Sequence, residues 1–255
     1  MIETRLHGTV AFVTDSSSGI GAATARSLAE EGAAVALVAC RGERINDLAS
    51  TIRSEGGTAL VLEADVTQRR QIEAAVERTV RQLGRLDTVV NNAGVILLGA
   101  ALDSPPEEWD RMIALNLQGT LYVTRVALPH LVRAAADSHR KVADVVYISS
   151  TAGRVARPGT SVYSLTRFGI AAFADSIRQE LIATRVRVSV VEPGAVATEH
   201  TTHLREHVHD IAQSKLNSIE ALLPEDIADA VTYIVTRDRR VAVNQLLVRA
   251  SEQNW

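Results

Sequence analysis

Three scarcities in the sequence exclude whole classes of protein. The chain has one cysteine, Cys40, so an internal disulfide cannot form and a zinc site built on several cysteines is excluded. Lys and Arg number 27 against 30 Asp and Glu, and the net charge of −3 leaves no basic excess for a nucleic-acid backbone. The longest apolar run, 33–40, is far shorter than the about 20 residues that span a bilayer. We therefore expect a soluble, cytoplasmic protein with neither nucleic acid nor membrane as a partner.

Apolar residues make up 46% of the chain and recur in short runs that alternate with longer helical patterns. The runs are rich in Val, Ala, Leu and Ile without strict alternation, which is typical of strands covered on both faces. Strands that alternate with helices predict right-handed crossovers and a parallel sheet. The sequence thus predicts a doubly wound α/β fold with a seven-stranded, mainly parallel sheet (9–14, 34–38, 58–62, 87–90, 144–149, 186–191, 245–248) flanked by helices that include 19–31 and 68–83.

The chain contains no Pro/Gly/Ser-rich linker, so residues 1–255 are expected to form a single domain. Pro105-Pro106 is expected to start a helix, because proline is tolerated in a first turn. Pro129 lies inside a helical pattern and is expected to kink or end that helix. The irregular segment 195–218 follows a strand end, where ligands bind in such sheets, and is a candidate substrate lid.

Segment 14–21 joins the first strand to the first helix through small residues, Thr-Asp-Ser-Ser-Ser-Gly-Ile-Gly. A helix N-terminus presents free backbone N–H groups and the positive end of its dipole, so a small-residue turn there forms an anion site. Gly19 and Gly21 allow a ligand and the strand to approach the backbone closely. By itself, the segment is equally compatible with a helix start capped by serine.

Further motifs follow the later strands in a fixed order. They are Asp65-Val66, the run Asn91-Asn92-Ala93-Gly94, then Asn116, Ser150, Tyr163 with Arg167 four residues later, and Pro193-Gly194 with Thr198. Together with segment 14–21, they resemble the short-chain dehydrogenase/reductase family over nearly the whole chain. The resemblance implies a Rossmann-type fold and an oxidoreductase that transfers hydride between NADP(H) and a small-molecule carbonyl or alcohol. Within the family, the chain is most similar to reductases related to clavulanic acid dehydrogenase.

The resemblance also implies a role for each matching residue. Ser150 polarises the substrate oxygen, and Tyr163 donates a proton to that oxygen or removes one. Arg167 takes the place of a lysine that holds the nicotinamide ribose, and Asn116 maintains a helix bend and a water near it. The expected cofactor-binding residues are Thr14, Asp15, Ser17, Gly19, Ile20, Gly21, Arg41, Asp65, Val66, Asn92, Ala93, Gly94, Tyr163, Arg167, Pro193, Gly194, Val196 and Thr198.

Two residues depart from the family pattern. Asp15 stands where the first glycine of the phosphate loop belongs, and the position favours a backbone conformation that Asp adopts only with strain. Its carboxylate would repel a phosphate about 6 Å away by about 3 kcal/mol at an effective dielectric of about 20, unless it turns away or binds a ribose hydroxyl. Arg167 keeps the positive charge of the family's lysine but does not release a proton near neutral pH.

The end of the second strand predicts which dinucleotide binds. NAD sites have Asp or Glu there to bind the ribose hydroxyls, whereas this chain has Ala39 and Cys40 followed by Arg41. Arg41 is either a solvated turn cation or a partner for a 2′-phosphate, and the latter favours NADP(H). Cys40 replaces an arginine of related chains, so the cofactor is expected to bind weakly or not at all.

Four of the seven histidines lie at 200, 203, 207 and 209. The segment His203-Leu-Arg-Glu206-His207 matches the H-x-x-E-H spacing of inverted zinc peptidases. No fixed third ligand is evident, so we expect no metal site. A solvated helix face and a substrate-contacting histidine are the remaining interpretations.

Three functions stay open at this stage. The first is an NADP(H)-dependent carbonyl reductase or alcohol dehydrogenase. The second is a family member that performs a dehydration, isomerisation or cyclisation in the same pocket, with Tyr163 as acid or base. The third is a catalytically silent binding subunit. The resemblance also implies a small-molecule substrate and a homo-oligomer, either a dimer or a tetramer.

Overall fold

The computed structural model describes residues 4–254, apart from the side chains of His200, Thr201 and His207. Within that region the strands are β1 (Val10–Thr14), β2 (Ala34–Ala39), β3 (Ala59–Glu63), β4 (Thr88–Asn91), β5 (Ala143–Ile148), β6 (Val186–Pro193) and β7 (Gln245–Val248). They form one sheet in the order β3-β2-β1-β4-β5-β6-β7, and every neighbouring pair is parallel. The predicted doubly wound fold with a seven-stranded parallel sheet is confirmed.

Helices connect successive strands. They are α1 (Gly19–Glu30), α2 (Gly42–Ser54), α3 (Arg69–Leu83), α4 (Pro106–Met112), α5 (Thr120–Asp137), α6 (Ser161–Glu180), α7 (Glu206–Asn217) and α8 (Pro224–Val235). A π-helical segment, Ile113–Gly119, joins α4 to α5, so that 106–137 is helical throughout.

The sheet separates two hydrophobic cores, because successive side chains of a strand point to opposite faces. In β1, Phe12 belongs to the core that packs against α3, α5 and α6. Its neighbours Ala11 and Val13 belong to the core that packs against α1, α2 and α8. Both faces of the sheet are therefore covered, which explains why the strands read as continuous apolar runs.

The strand order reverses between β1 and β4, which are direct neighbours with Val13 beside Val90. Chain connections leave this point toward opposite sides of the sheet, and a crevice opens at the carboxyl ends of the two strands. In open α/β sheets, ligands bind at such a switch point. The loop after β1 and the segment after β4, which carry the predicted motifs, meet there.

Two helical features differ from the expectation. The sequence pattern predicts a kink or an end at Pro129, but α5 continues to Asp137, so the predicted end is wrong. Pro129 and Arg125, whose carbonyl loses its hydrogen bond, are both exposed, and water can satisfy that carbonyl. Helices α2 and α8 have no counterpart in the sequence analysis. Within residues 4–254, no helix has the length and apolar character needed to cross a bilayer.

Candidate active site

The loop between β1 and α1 turns at two residues with left-handed backbone. Asp15 has φ +50° and Gly19 has φ +52°. This conformation costs a residue that carries a Cβ about 1 kcal/mol, although Asp adopts it more readily than most. A Cβ on Gly21 would lie 2.6 Å from Asn92 Nδ2 and would meet the carbonyl oxygen of Asp15. Only glycine fits at position 21, directly beneath the loop.

Thr14 and Asn92 tie this loop to the end of β4. The Thr14 hydroxyl accepts hydrogen bonds from the backbone N–H of Asn92 (2.9 Å) and of Ala93 (3.0 Å). The Asn92 side-chain amide donates to the carbonyl oxygens of Thr14 (3.1 Å) and Asp15 (3.3 Å). These four hydrogen bonds hold the loop between β1 and α1 against the end of β4.

The Asp15 side chain is partly buried at the mouth of this loop. Burial raises the pKa of its carboxyl above the usual value, and the positive charges of Arg41 and His203 offset part of that rise. The repulsion of about 3 kcal/mol expected between this carboxyl and a phosphate applies to the fully ionised carboxylate.

Arg41 contacts both the phosphate loop and the segment after β6. Its guanidinium donates to the hydroxyls of Ser17 (3.0 Å) and Ser18 (2.7 Å) and forms an ion pair with Glu199 (3.2 Å). Arg44, in the first turn of α2, forms a second ion pair with Glu199 at 2.8 Å. Two arginines and one carboxylate thus meet at the end of β2.

A first cavity of about 310 Å³ lies over the phosphate loop and the ends of β2, β3 and β4. Asp65 lines this cavity, and one of its carboxylate oxygens accepts hydrogen bonds from the Thr67 backbone N–H (2.9 Å) and hydroxyl (2.8 Å). The predicted cofactor residues that line this cavity are Asp15, Ser17, Gly19, Ile20, Arg41, Asp65, Val66, Asn92, Ala93, Gly94 and Thr198. Thr14 and Gly21 are absent from the lining and support the loop from below.

A second cavity of about 470 Å³ lies over the ends of β5 and β6. Its lining includes Ile20, Asn92 and Thr198, which also line the first cavity, so the two adjoin. The remaining predicted residues on its walls are Ser150, Tyr163, Arg167, Pro193, Gly194 and Val196. The structure therefore brings Ser150, Tyr163 and Arg167 together with the predicted nicotinamide-side residues.

Ser150 and Tyr163 are positioned by local hydrogen bonds. Ser150 caps the short helix Thr151–Gly153, since its hydroxyl oxygen accepts from the Ala152 backbone N–H at 3.1 Å. Its own hydroxyl proton remains available to a ligand. Tyr163 lies in the first turn of α6 and is only 7% exposed.

Arg167 lies one helical turn beyond Tyr163 and is buried. Its guanidinium carbon stands 5.0 Å from the centre of the Tyr163 ring, within the range of a cation–π contact. One terminal nitrogen donates to the carbonyl oxygen of Ile148 at 3.2 Å, and Nε has no hydrogen-bond partner within residues 4–254. A Cβ on Gly94 would lie 2.7 Å from the other terminal nitrogen, so Gly94 makes room for the guanidinium.

Asn116 lies behind the site, in the π-helical segment, and lines neither cavity. Its side chain accepts from the Val95 backbone N–H (2.7 Å) and donates to the Val95 carbonyl (2.9 Å) and to the Thr166 hydroxyl (3.2 Å). It thereby joins the segment after β4 to α6. The helix irregularity implied by the resemblance is present as the π-helical segment, and the Asn116 side chain forms hydrogen bonds with the backbone of Val95.

The segment after β6 covers both cavities. Two contacts anchor its first residues. The backbone N–H of Gly194 donates a hydrogen bond to the Val248 carbonyl (2.7 Å), and Val196 forms an isolated β-bridge with Leu222. A short helix, Glu199–His203, follows, and α7 comes next. Arg205 fastens this region by donating to the Leu98 carbonyl at 3.3 Å.

The described part of the chain contains no group of three or more His, Cys, Asp or Glu residues placed to hold a metal ion. The side chains of His200 and His207 lie outside the described residues, so the H-x-x-E-H hypothesis is untested. Of the other two histidines in this segment, His203 lines the first cavity.

The short chain dehydrogenase family matches residues 9–209 of this sequence. The chain belongs to that family. An uncharacterised oxidoreductase of Staphylococcus saprophyticus subsp. saprophyticus is 30% identical over 249 residues, which cover 96% of this chain and 97% of the relative.

Two solved structures of oxidoreductases resemble this short chain dehydrogenase closely. The closed form of serine dehydrogenase complexed with NADP⁺ matches with a TM-score of 0.86 and 29% identity over 97% of each chain. The 3-ketoacyl-(acyl-carrier-protein) reductase of Brucella melitensis complexed with NADH matches with a TM-score of 0.84 and 27% identity, over 96% of this chain and 98% of the reductase. The family and these neighbours show that the chain has the oxidoreductase fold of the short chain dehydrogenases, and both neighbours hold a nicotinamide dinucleotide.

Sequence reasoning missed Arg44 and Glu199. Arg44 lies in the first turn of α2 and Arg41 directly precedes that helix, but the segment resembles a charged turn when no helix is assigned there. Glu199 meets Arg41 across 158 residues of sequence, and no local pattern signals that contact.

Proposed function

We propose that this short chain dehydrogenase transfers hydride between NADP(H) and the carbonyl or alcohol carbon of a small molecule. The observation that carries the proposal is the convergence of Ser150, Tyr163 and Arg167 on one cavity that adjoins the phosphate-loop cavity. A dinucleotide that spans two adjoining cavities would bring its nicotinamide beside the two hydroxyl side chains.

The residues of the first cavity fit a dinucleotide in most respects. Gly19 and Gly21 keep the loop open to a pyrophosphate, which the N-terminus of α1 would attract. Asp65 and Val66 stand where the resemblance expects an adenine contact. Arg41 and Arg44 form a cationic pair suited to a 2′-phosphate, which supports NADP(H) over NAD(H). Asp15 opposes binding and is expected to weaken it.

When bound, NADP(H) supplies or accepts the hydride. In reduction, the Ser150 hydroxyl donates a hydrogen bond to the substrate oxygen, and Tyr163 gives that oxygen a proton. In oxidation, Tyr163 takes the proton from the alcohol. The guanidinium of Arg167 places a positive charge over the ring of the residue that donates and accepts this proton.

The charge of the second cavity indicates the substrate class. Arg157 and Lys215 line it, and neither forms an ion pair within the described part of the chain. No Asp or Glu occurs among its described lining residues, while Ile96 and Leu98 supply apolar walls. These features favour a substrate with an apolar body and an anionic group such as a carboxylate.

Several narrower points stay predictions. They are the kinship to reductases related to clavulanic acid dehydrogenase, the single domain over 1–255 with a lid at 195–218, the dimer or tetramer, and the cytoplasmic location. The family and the two structural neighbours are oxidoreductases and give the non-redox alternative no support, so we do not propose it.

Steady-state kinetics with NADPH on a panel of aldehydes, ketones and keto acids tests the proposal. Tyr163→Phe should lower kcat by at least about 100-fold, because it removes the group that donates and accepts the proton. Restoring the family's lysine with Arg167→Lys should raise kcat, since lysine can pass a proton on. Keto acids should show the lowest KM values of the panel.

A matched control is Tyr233→Phe. Tyr233 also carries an arginine over its ring, with Arg237 at 4.4 Å, but it lies on α8 away from both cavities. This variant should keep wild-type kcat. If Tyr163→Phe keeps wild-type kcat as well, the catalytic assignment is wrong.

A further inference from the structure

Glu199 forms a bridge between the segment after β6 and the start of α2. Its carboxylate accepts two hydrogen bonds from Arg44, at 2.8 and 3.0 Å, and one from Arg41, at 3.2 Å. Among the described residues, Glu199 is the only carboxylate that forms an ion pair with either arginine. The other side-chain partners of Arg41 are the neutral hydroxyls of Ser17 and Ser18.

The hydrogen bonds from Arg44 and Arg41 lower the pKa of the Glu199 carboxyl. The carboxyl is therefore ionised at neutral pH. A carboxylate presents two acceptor oxygens to a guanidinium pair, and a phosphate monoester presents three. Glu199 thus offers the two arginines the same chemistry as a 2′-phosphate, although with less charge.

We propose that Glu199 is an internal anion that occupies the 2′-phosphate subsite and is displaced when NADP(H) binds. The inference rests on the proposed function, because it assumes that the first cavity receives the adenosine half of the dinucleotide. Glu199 then sets cofactor preference: NADP(H) must break both ion pairs to engage the arginines, whereas NAD(H) leaves them in place. Glu199 also belongs to the short helix that follows Thr198, so displacement releases one anchor of the segment over both cavities.

The test is calorimetric titration of the full-length chain with NADPH, NADH and adenosine 2′,5′-bisphosphate, a probe that carries the 2′-phosphate without a nicotinamide. Glu199→Gln should tighten binding of NADPH and of the bisphosphate by about three- to tenfold, the range expected for losing competition from exposed ion pairs. NADH affinity should stay within about twofold of wild type. Glu206→Gln, which removes an exposed carboxylate of α7 with no ion pair among the described residues, should change none of the three affinities.

The same Glu199→Gln change is also made in a protein that carries Arg44→Gln. The comparison separates competition for the arginines from the long-range electrostatic effect of removing a negative charge. The gain from Glu199→Gln should shrink there if the carboxylate acts through Arg44, and a gain of full size would overturn the proposal. Unchanged NADPH and bisphosphate affinities in Glu199→Gln would also overturn it, whether or not the protein turns over a substrate. If the bisphosphate gains affinity while no redox turnover is found, the inference stands and the proposed function fails.

Discussion

Asp15 is the residue that we expect to oppose cofactor binding most strongly. Its backbone is left-handed at φ +50°, so the position retains the geometry that a glycine adopts without cost. Its carboxyl stands beside a loop that would hold phosphates, and burial raises its pKa. An aspartate at this position therefore combines backbone strain with charge repulsion, and each effect can be tested separately.

Asp15→Asn removes the charge and keeps the side chain, while Asp15→Gly also removes the strain. If repulsion dominates, both variants should tighten NADPH binding by similar amounts, up to about 3 kcal/mol. If strain dominates, only Asp15→Gly should help, because Asn and Asp tolerate left-handed backbone equally. Isothermal titration of the three proteins decides, and tight wild-type binding with no gain in either variant would mean that Asp15 is neutral.

The raised pKa of Asp15 also predicts a pH dependence of stability. The folded state holds this proton above the unfolded value of 3.8, so ionising the carboxyl costs stability as pH rises above that value. Asp15→Asn should therefore stabilise the protein more at pH 7 than at pH 4. Urea titration of both proteins at the two pH values measures this difference, and an equal effect at pH 4 and pH 7 would contradict it.

At the scale of elements, the start of α1 depends on a glycine that the loop leaves no room to replace. Gly21→Ala should lower the free energy of unfolding by about 1–3 kcal/mol, because its Cβ would meet the Asp15 carbonyl and Asn92. Gly169, inside α6, is the control, since its Cβ would make only an ordinary 3.4 Å contact with Leu117. Gly169→Ala should be neutral or stabilise by about 0.5–1 kcal/mol. Urea titration measures both, and equal effects would contradict the packing account.

The strands were predictable from sequence, whereas several helical features were not. Runs such as Val-Ala-Phe-Val-Thr in β1 read as strands because both faces are buried and no polar residue interrupts them. Helix α2 escapes the pattern because its charged first turn, Gly-Glu-Arg, resembles a polar turn. The resemblance implies an irregular helix at Asn116, but the bounds of the π-helical segment and the hydrogen bonds of Asn116 to Val95 and Thr166 are seen only in the assembled fold.

The candidate site also contains residues that could be predicted from the sequence and contacts that could not. Motif positions such as Ser150 and Tyr163 could be named in advance, because their spacing along the chain resembles a known family. The ion pairs of Glu199 with Arg41 and Arg44 could not, since they join segments that only the fold brings together. Long-range electrostatic contacts are the part of the site that the sequence pattern leaves undetermined.

At the scale of the whole molecule, the two ends of the strands have different roles. Both cavities lie at the carboxyl ends, whereas buried ion pairs lie near the amino ends. Asp144 on β5 and its register partner Arg187 on β6 form two hydrogen bonds, at 2.7 and 3.0 Å, and both side chains are buried. Arg187 also donates to the Val241 carbonyl at 2.7 Å. We expect the ion pairs at the amino ends of the strands to contribute to stability without affecting the proposed hydride transfer.

Asp144→Ala should therefore lower the free energy of unfolding by about 3–5 kcal/mol, because it leaves the Arg187 charge buried without a partner. Asp175→Ala breaks an exposed pair with Arg178 (2.7 Å) and should cost less than about 1 kcal/mol. Urea denaturation of each variant provides the comparison, with Asp144→Asn as a milder substitute if the alanine variant does not fold. Similar losses for the buried and exposed pairs would refute the account.

The most direct test of the central claim follows the hydride itself. The full-length protein would be incubated with NADPH deuterated at both positions of the nicotinamide C4 and with a keto acid, and the alcohol product would be analysed by mass spectrometry. Direct transfer predicts one deuterium on the former carbonyl carbon, in wild type and in Tyr233→Phe, and loss of product in Tyr163→Phe. Product that forms without deuterium, or that forms equally well when NADPH is omitted, would contradict the assignment of this short chain dehydrogenase as a hydride-transferring enzyme.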